Sequence, residues 1–353
     1  MRWVRLASLS LAAALAAVWL TACGTSATVG PNESASANPK PDPACARVPD
    51  AALTPPGGGA EAYTMGIRVN GAGDVDEIES AIGDRIQDRD VFVINTEFPH
   101  SAPDDWQAAL DRLTEKFPCN RVVTLTGLSQ DPGKPKYEYA LVGNPELDGV
   151  LMDWEPDTWE DAGRGHWTPE LETNLTRIAE ELRLLSRRLA STKTRMGLVP
   201  DYVPPWDYGR TAREIALANL ILDPAHRGYQ LVQTQPNCGT SRGAGPPIGL
   251  LAAQLIAQYR GLFGESLRLG ADGRTVPITR ELLRHLGFEV AFDTTPNPKA
   301  SEAVERIGPK QAAACSWDVV KAGGAGILYW ASPDSLRALL DTPVGKKLRP
   351  SSS

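Results

Sequence analysis

The chain has 353 residues, of which 42% are hydrophobic, 22% charged and 7% aromatic. That composition can build a full hydrophobic core, which excludes a disordered tail and a small disulfide-stapled scaffold. The net charge is −7, with 36 basic and 43 acidic residues and no block of lysine or arginine, so we expect no nucleic-acid partner. The four histidines lie at no metal-ligand spacing and no Cys-x-x-Cys pair occurs; we therefore predict no metal site.

The first 22 residues have the pattern of a secretion signal. Two arginines within residues 1–5 precede an apolar run at 6–20, which is shorter than the roughly twenty residues of a membrane-spanning helix. The string Leu-Thr-Ala-Cys that ends at Cys23 resembles a bacterial lipobox, in which the cysteine becomes the lipidated N-terminus. We expect residues 1–22 to be cleaved and Cys23 to anchor the protein to the cell membrane on its extracytoplasmic face. An ordinary signal peptide with an incidental cysteine is the alternative.

Residues 23–59 are rich in Ser, Ala, Asn, Pro and Gly and predict a flexible linker between the anchor and a folded domain. Four further cysteines, an even number, permit up to two disulfides in an oxidising compartment. They are Cys45, Cys119, Cys238 and Cys315. Three pairings are possible and the sequence does not select one; free buried thiols are the alternative.

Short apolar segments bounded by turn residues predict eight β-strands. They lie at 63–69, 91–98, 121–128, 148–155, 194–201, 229–235, 287–293 and 326–331. Segments of helical period between them lie at 74–86, 104–116, 169–189, 212–221, 250–263 and 301–321. Several strands are apolar at successive positions, which is typical of a parallel sheet covered on both faces. Eight such units, with no Gly-x-Gly-x-x-Gly after the first strand, predict one (β/α)₈ barrel at 60–345 and a disordered tail at 346–353.

Polar and aromatic residues are concentrated where these strands end. In a (β/α)₈ barrel the functional site is built from the carboxyl ends of the strands. Acids, amides and aromatic rings at those ends suit a polar ligand held between aromatic walls, and sugars are such ligands. The candidate ligand contacts are Asn95, Glu97, Tyr202, Trp206, Gln233, Gln235, Tyr329 and Trp330.

The fourth predicted strand ends with two carboxylates, Asp153 and Glu155. Because side chains alternate along a strand, both point to one face, which we expect to be the barrel interior. Two close carboxyls in a partly dry site share a proton, which raises the pKa of one of them. A protonated Glu155 can then donate to the oxygen of a glycosidic bond, as the general acid of a glycosidase does.

Residues 148–155, Asp-Gly-Val-Leu-Met-Asp-Trp-Glu, resemble the Asp-Gly-x-Asp-x-Asp-x-Glu motif of glycoside hydrolase family 18, the chitinases and endo-β-N-acetylglucosaminidases. Residues 326–332 are similar to the eighth strand of that family, whose tryptophan forms the floor under the sugar, a place that Trp330 fits. The chain departs from the pattern at Leu151, where the family has its middle aspartate. It also has Gln235 near the place where the family usually has a tyrosine.

The resemblance implies a retaining, substrate-assisted mechanism that needs no cofactor. The 2-acetamido oxygen of the substrate is the nucleophile, Asp153 orients the acetamido group, and Glu155 protonates the leaving oxygen and then activates water. We therefore expect a monomeric, membrane-anchored bacterial glycoside hydrolase acting on glycans that contain N-acetylhexosamine. One alternative is a non-catalytic carbohydrate-binding barrel, which Leu151 favours. Another is a two-lobed solute-binding protein, which a single set of eight strand–helix units disfavours.

Overall fold

The computed structural model contains a closed barrel of eight parallel strands. Ten strands are described, and in chain order they are β1 (Thr64–Val69), β2 (Val91–Asn95), β3 (Arg121–Gly127), β4 (Gly149–Trp154), β5 (Arg195–Pro200), β6 (Arg227–Val232), β7 (Ser266–Arg268), β8 (Thr275–Pro277), β9 (Leu286–Ala291) and β10 (Gly326–Trp330). The order around the barrel is β1-β10-β9-β6-β5-β4-β3-β2, and the barrel closes because β1 pairs with both β10 and β2. β7 and β8 form a separate antiparallel sheet.

The structure describes only part of the chain. Side chains are described for residues 63–96, 105–126, 144–151, 308–321 and 326–350, and for the single positions 169, 173 and 187. Backbone alone is described at 103–104, 127, 152–154, 195–200, 227–232, 266–268, 275–277 and 286–291. The predicted signal, Cys23, the linker and the predicted helices at 212–221 and 250–263 lie outside the described residues.

Each of the eight predicted strands overlaps one barrel strand, although β6 and β9 begin two residues and one residue earlier than predicted, and the predicted (β/α)₈ architecture is confirmed. The sheet of β7 and β8 was not predicted, because strands of three residues are too short to show an alternating pattern.

Five α-helices have described bounds, α1 (Ala72–Ile82), α2 (Pro103–Lys116), α3 (Pro309–Lys321), α4 (Pro333–Leu340) and the single-turn α5 (Gly345–Leu348), and a 3-10 turn at Gly83–Arg85 follows α1. The first three confirm predicted helices. The fourth was missed although it has a clear start signal, since Ser332 accepts a hydrogen bond from the Ser335 N–H and Pro333 follows the cap. None of the helices in the described part of the chain is long and apolar enough to cross a membrane.

Cys119, which follows α2, and Cys315, within α3, are both disulfide-bonded. The alternative of free buried thiols is therefore wrong for these two cysteines.

Apolar side chains fill the barrel interior. They come from alternate positions of four strands and are almost completely buried: Val91, Val93, Val123, Leu125, Leu151 and Leu328. The register brings them into layers, with Leu125 opposite Leu151. The inward positions of any other strand can be read from its register with these residues.

The last described residues close the amino-terminal end of the barrel. Arg349 is fully buried; its guanidinium donates to the Asp90 carboxylate and to the Tyr63 carbonyl, 3.0 Å away, and lies 4.4 Å from the centre of the Tyr63 ring. The sequence predicts a disordered tail from residue 346, but α5 and this buried ion pair make residues 346–350 an ordered part of the fold. The prediction is wrong because a single arginine in a short polar segment shows no periodicity.

Two aspartates at the amino ends of strands make the same contact with a neighbouring strand. Asp90, just before β2, accepts the backbone N–H of Met65 at 2.9 Å. Asp148, just before β4, accepts the backbone N–H of Val122 at 2.9 Å. In both cases the N–H belongs to the second residue of the preceding barrel strand. The first acid of the segment 148–155 thus holds the register of β4 on β3.

Candidate functional site

Asn95 lies on the inner face of the barrel at the last position of β2. It is opposite Leu125, which belongs to the apolar interior, and side chains at paired positions of a parallel sheet share a face. Asn95 is 3% exposed. Its amide is therefore placed at the carboxyl-terminal rim of the barrel, where the sequence predicts a ligand contact.

Trp330 ends β10 at the same rim. Its side chain packs against the apolar interior and is partly exposed. The guanidinium carbon of Arg68 lies 4.0 Å from the centre of the ring, so a cation covers one face of the indole. The indole N–H is buried and, among the described residues, has no hydrogen-bond acceptor. Trp330 therefore contributes a partly exposed apolar ring to the rim, and its N–H is buried.

Arg68 is a rim residue that the sequence reasoning missed. It is opposite Val93 in the pairing of β1 with β2 and therefore points into the barrel. The prediction of a strand at 63–69 rests on its apolar residues and assigns no role to Arg68. The available signal was a single charged residue near the carboxyl end of an otherwise apolar strand, on the same face as Thr64 and Gly66.

Tyr329 does not face the rim. It is 1% exposed, pairs with Ile67 of β1, and its hydroxyl donates to Ser316 Oγ of α3 at 2.9 Å. Burial raises the pKa of Tyr329 well above its ordinary value, so the hydroxyl stays protonated as a donor to the helix layer. The prediction of a ligand contact at Tyr329 is wrong, because strand alternation turns it away from the face that its neighbour Trp330 occupies.

Leu151 occupies an inward position on β4 and is 3% exposed within the apolar interior. This is where the family 18 motif has its middle aspartate. Position 153 is the next one on the same face of the strand, and its backbone pairs with Gly127 and Val199. The side chain of Asp153 and the whole of Glu155 lie outside the described residues, so their pairing remains a prediction.

The remaining candidates also lie outside the described residues: Glu97, Tyr202, Trp206, Gln233 and Gln235. Within the described part of the chain, no group of three or more His, Cys, Asp or Glu residues is placed to hold a metal ion.

Several solved barrel structures are similar to this chain at low identity. An endo-β-N-acetylglucosaminidase from Cordyceps militaris is 12% identical with a TM-score of 0.41, covering 81% of this chain and 89% of that one. A chitinase from Ipomoea carnea is 15% identical with a TM-score of 0.39, covering 78% and 97%. A dihydropteroate synthase from Stenotrophomonas maltophilia is 11% identical with a TM-score of 0.40, covering 78% and 90%.

No protein-family model matches the chain, and no curated protein matches it. Because the structural likeness extends equally to barrels of unrelated chemistry, it does not select an activity. Function has to be argued from the side chains at the rim.

Proposed function

We propose that the protein is a glycoside hydrolase acting on glycans that contain N-acetylhexosamine. The observation that carries the proposal is the place of β4 in the closed barrel. Its carboxyl end, at Asp153 and Trp154, belongs to the rim that also holds Asn95 and Trp330, and Glu155 is the next residue in the sequence. Acids at a strand end, beside an inward amide and an indole ring, are the groups that protonate a glycosidic oxygen and hold a sugar.

In the proposed reaction, Glu155 donates its proton to the glycosidic oxygen as the bond to the anomeric carbon breaks. The 2-acetamido oxygen of the substrate attacks that carbon and forms a cyclic oxazolinium ion, while Asp153 accepts the acetamido N–H and balances the developing charge. Glu155, now ionised, removes a proton from water, which opens the ring with retained configuration.

Leu151 favours a second candidate, a carbohydrate-binding barrel that does not cut its ligand. Its side chain is surrounded by Val123, Leu125 and Leu328 of the apolar interior. A carboxylate in that position would share charge and a proton with an acid above it, and leucine can do neither. The proposed hydrolase therefore relies on Asp153 and Glu155 without the support that the family motif provides.

We also propose that the protein is attached to the extracytoplasmic face of the membrane through lipid on Cys23. The lipobox-like segment motivates this proposal, and the disulfide-bonded Cys119 and Cys315 support it, because structural disulfides persist in oxidising compartments. Metabolic labelling with a fatty-acid analogue tests it: the native chain should incorporate label and a Cys23→Ala variant should not.

The test of hydrolysis compares the protein with Glu155→Gln on chromogenic N-acetylglucosamine oligomers and on cell-wall material. We expect the variant to be slower by about 10²–10⁴-fold, the usual contribution of a general acid–base group. Glu146→Gln is the matched control, since Glu146 precedes β4 at the opposite end of the strand. Equal rates in the protein and Glu155→Gln contradict the catalytic assignment. Binding without turnover in all three proteins supports the carbohydrate-binding alternative.

A further inference from the structure

We infer that the glycan bound at this rim carries a carboxylate, with Arg68 as the residue that recognises it. This inference rests on the proposed function and specifies the substrate class of the same site. It starts from the position of Arg68 on the inner face of β1, one residue before the strand ends.

The surroundings of Arg68 strengthen the effect of its charge. The guanidinium lies against the Trp330 ring, and the position opposite Arg68 on β2 is the buried Val93. Apolar neighbours lower the local dielectric constant, so a cation attracts an anion more strongly there than it does on an exposed surface. Stacking on the indole also holds the plane of the guanidinium in one orientation, which reduces the entropy lost when it binds a planar carboxylate.

The ring that the guanidinium covers carries a further donor. Trp330 has a buried N–H that meets no acceptor among the described residues, and a buried donor without a partner is costly. A guanidinium has five N–H donors, so Arg68 can bind a carboxylate in addition to its other contacts in the barrel. A ligand carboxylate beside the partly exposed Trp330 ring would therefore meet the Arg68 guanidinium.

The binding test uses full-length Glu155→Gln, which should not cut its ligand. Two acidic oligomers serve as probes, one of N-acetylglucosamine alternating with N-acetylmuramic acid and one alternating with glucuronic acid, each beside its carboxyl-reduced form. We expect at least one acidic oligomer to bind about tenfold more tightly than its reduced form at low salt, and the advantage to shrink as salt is raised. The oligomer that shows it identifies the source of the carboxylate, a lactyl ether or a uronic acid.

Arg68→Gln should bring the ratio of the two affinities close to one, whereas Arg68→Lys should keep part of it. Arg337→Gln is the matched control, because Arg337 lies on α4 with 54% of its side chain exposed, and the ratio should not change. A ratio near one in the starting protein, or a salt-independent ratio, overturns the inference without any Arg68 variant. An unchanged ratio in folded Arg68→Gln overturns it as well. If none of the oligomers nor a neutral N-acetylglucosamine tetramer binds, the proposed function itself is contradicted.

Discussion

Replacing Arg349 by methionine tests whether the buried ion pair at the amino-terminal end of the barrel holds residues 346–350 in place. The substitution keeps a long unbranched side chain and removes the charge. Arg349 and Asp90 both have side chains with 0% exposure, and the guanidinium also contacts the carbonyl and the ring of Tyr63. The change therefore leaves a carboxyl group in the interior without its cation.

The expected loss of stability comes mainly from that carboxyl group. Asp90 keeps two backbone donors, the N–H of Met65 at 2.9 Å and the N–H of Gln87 at 2.8 Å, so its oxygens are not left without hydrogen bonds. The uncompensated charge remains, and removing one partner of a buried ion pair costs about 3–5 kcal/mol of unfolding free energy. We expect a loss near the lower end of that range, because Asp90 can relieve the charge by binding a proton.

The loss should grow with pH. Burial raises the pKa of Asp90 to about 6, against the opposing charge of Arg349. A carboxyl whose pKa is raised by folding stabilises the folded state fully below its unfolded pKa, about 4, and that contribution is lost as the pH rises through 6. Without Arg349 the pKa rises further. At pH 5 Asp90 is then mostly protonated in both folded proteins, so the absence of Arg349 has a smaller effect. At pH 8 Asp90 is ionised in the original protein and pairs with Arg349, whereas the variant offers it no cation.

Guanidinium chloride unfolding, followed by tryptophan fluorescence at pH 5 and pH 8, measures both effects. Arg337→Met is the control, since Arg337 makes an exposed ion pair with Asp334 and should lose only about 0–1 kcal/mol. The reasoning is refuted if Arg349→Met loses no more than this control at pH 8. It is also refuted if the loss caused by Arg349→Met is larger at pH 5 than at pH 8.

Two further substitutions test contacts at strand and helix boundaries. Asp148→Ala should lower the unfolding free energy by about 1–3 kcal/mol because the Val122 N–H loses its acceptor. Asp148→Asn keeps an acceptor oxygen and should lower the unfolding free energy by less in the same assay. Equal losses in the two variants would contradict the role of Asp148 as the acceptor of the Val122 N–H. Tyr329→Phe should cost about 1 kcal/mol by removing the hydrogen bond to Ser316. The same variant should bind glycan oligomers in calorimetry as tightly as the original protein, and a weakened affinity would return Tyr329 to the site.

The barrel could be predicted from the sequence because its strands repeat. Alternation and apolar runs depend on many residues at once, so a single exception such as Arg68 in β1 did not hide the strand. The same strand pattern gives no information about the contact between Arg68 and Trp330, because that contact depends on the pairing of β1 with β10. Tyr329 shows a different error. It lies at a strand end and its aromatic ring and hydroxyl suit a sugar ligand, but strand alternation points its side chain towards α3.

Contacts between distant parts of the chain were beyond sequence patterns. Arg349 and Asp90 are 259 positions apart, and neither residue type predicts burial. Leu151 was recognised as a departure from a motif, but its membership of the apolar interior follows only from the register of β4 with β3.

Pairing the first barrel strand with the last has a consequence for biosynthesis. While the ribosome is still adding residues before β10, β1 lacks one of its two neighbouring strands, and Asp90 lacks its partner Arg349 at the amino-terminal end of the barrel. Such late, long-range partners slow folding, since the chain entropy of a large loop is lost before any stabilising contact repays it. The barrel therefore cannot close until β10 has been synthesised and has paired with β1.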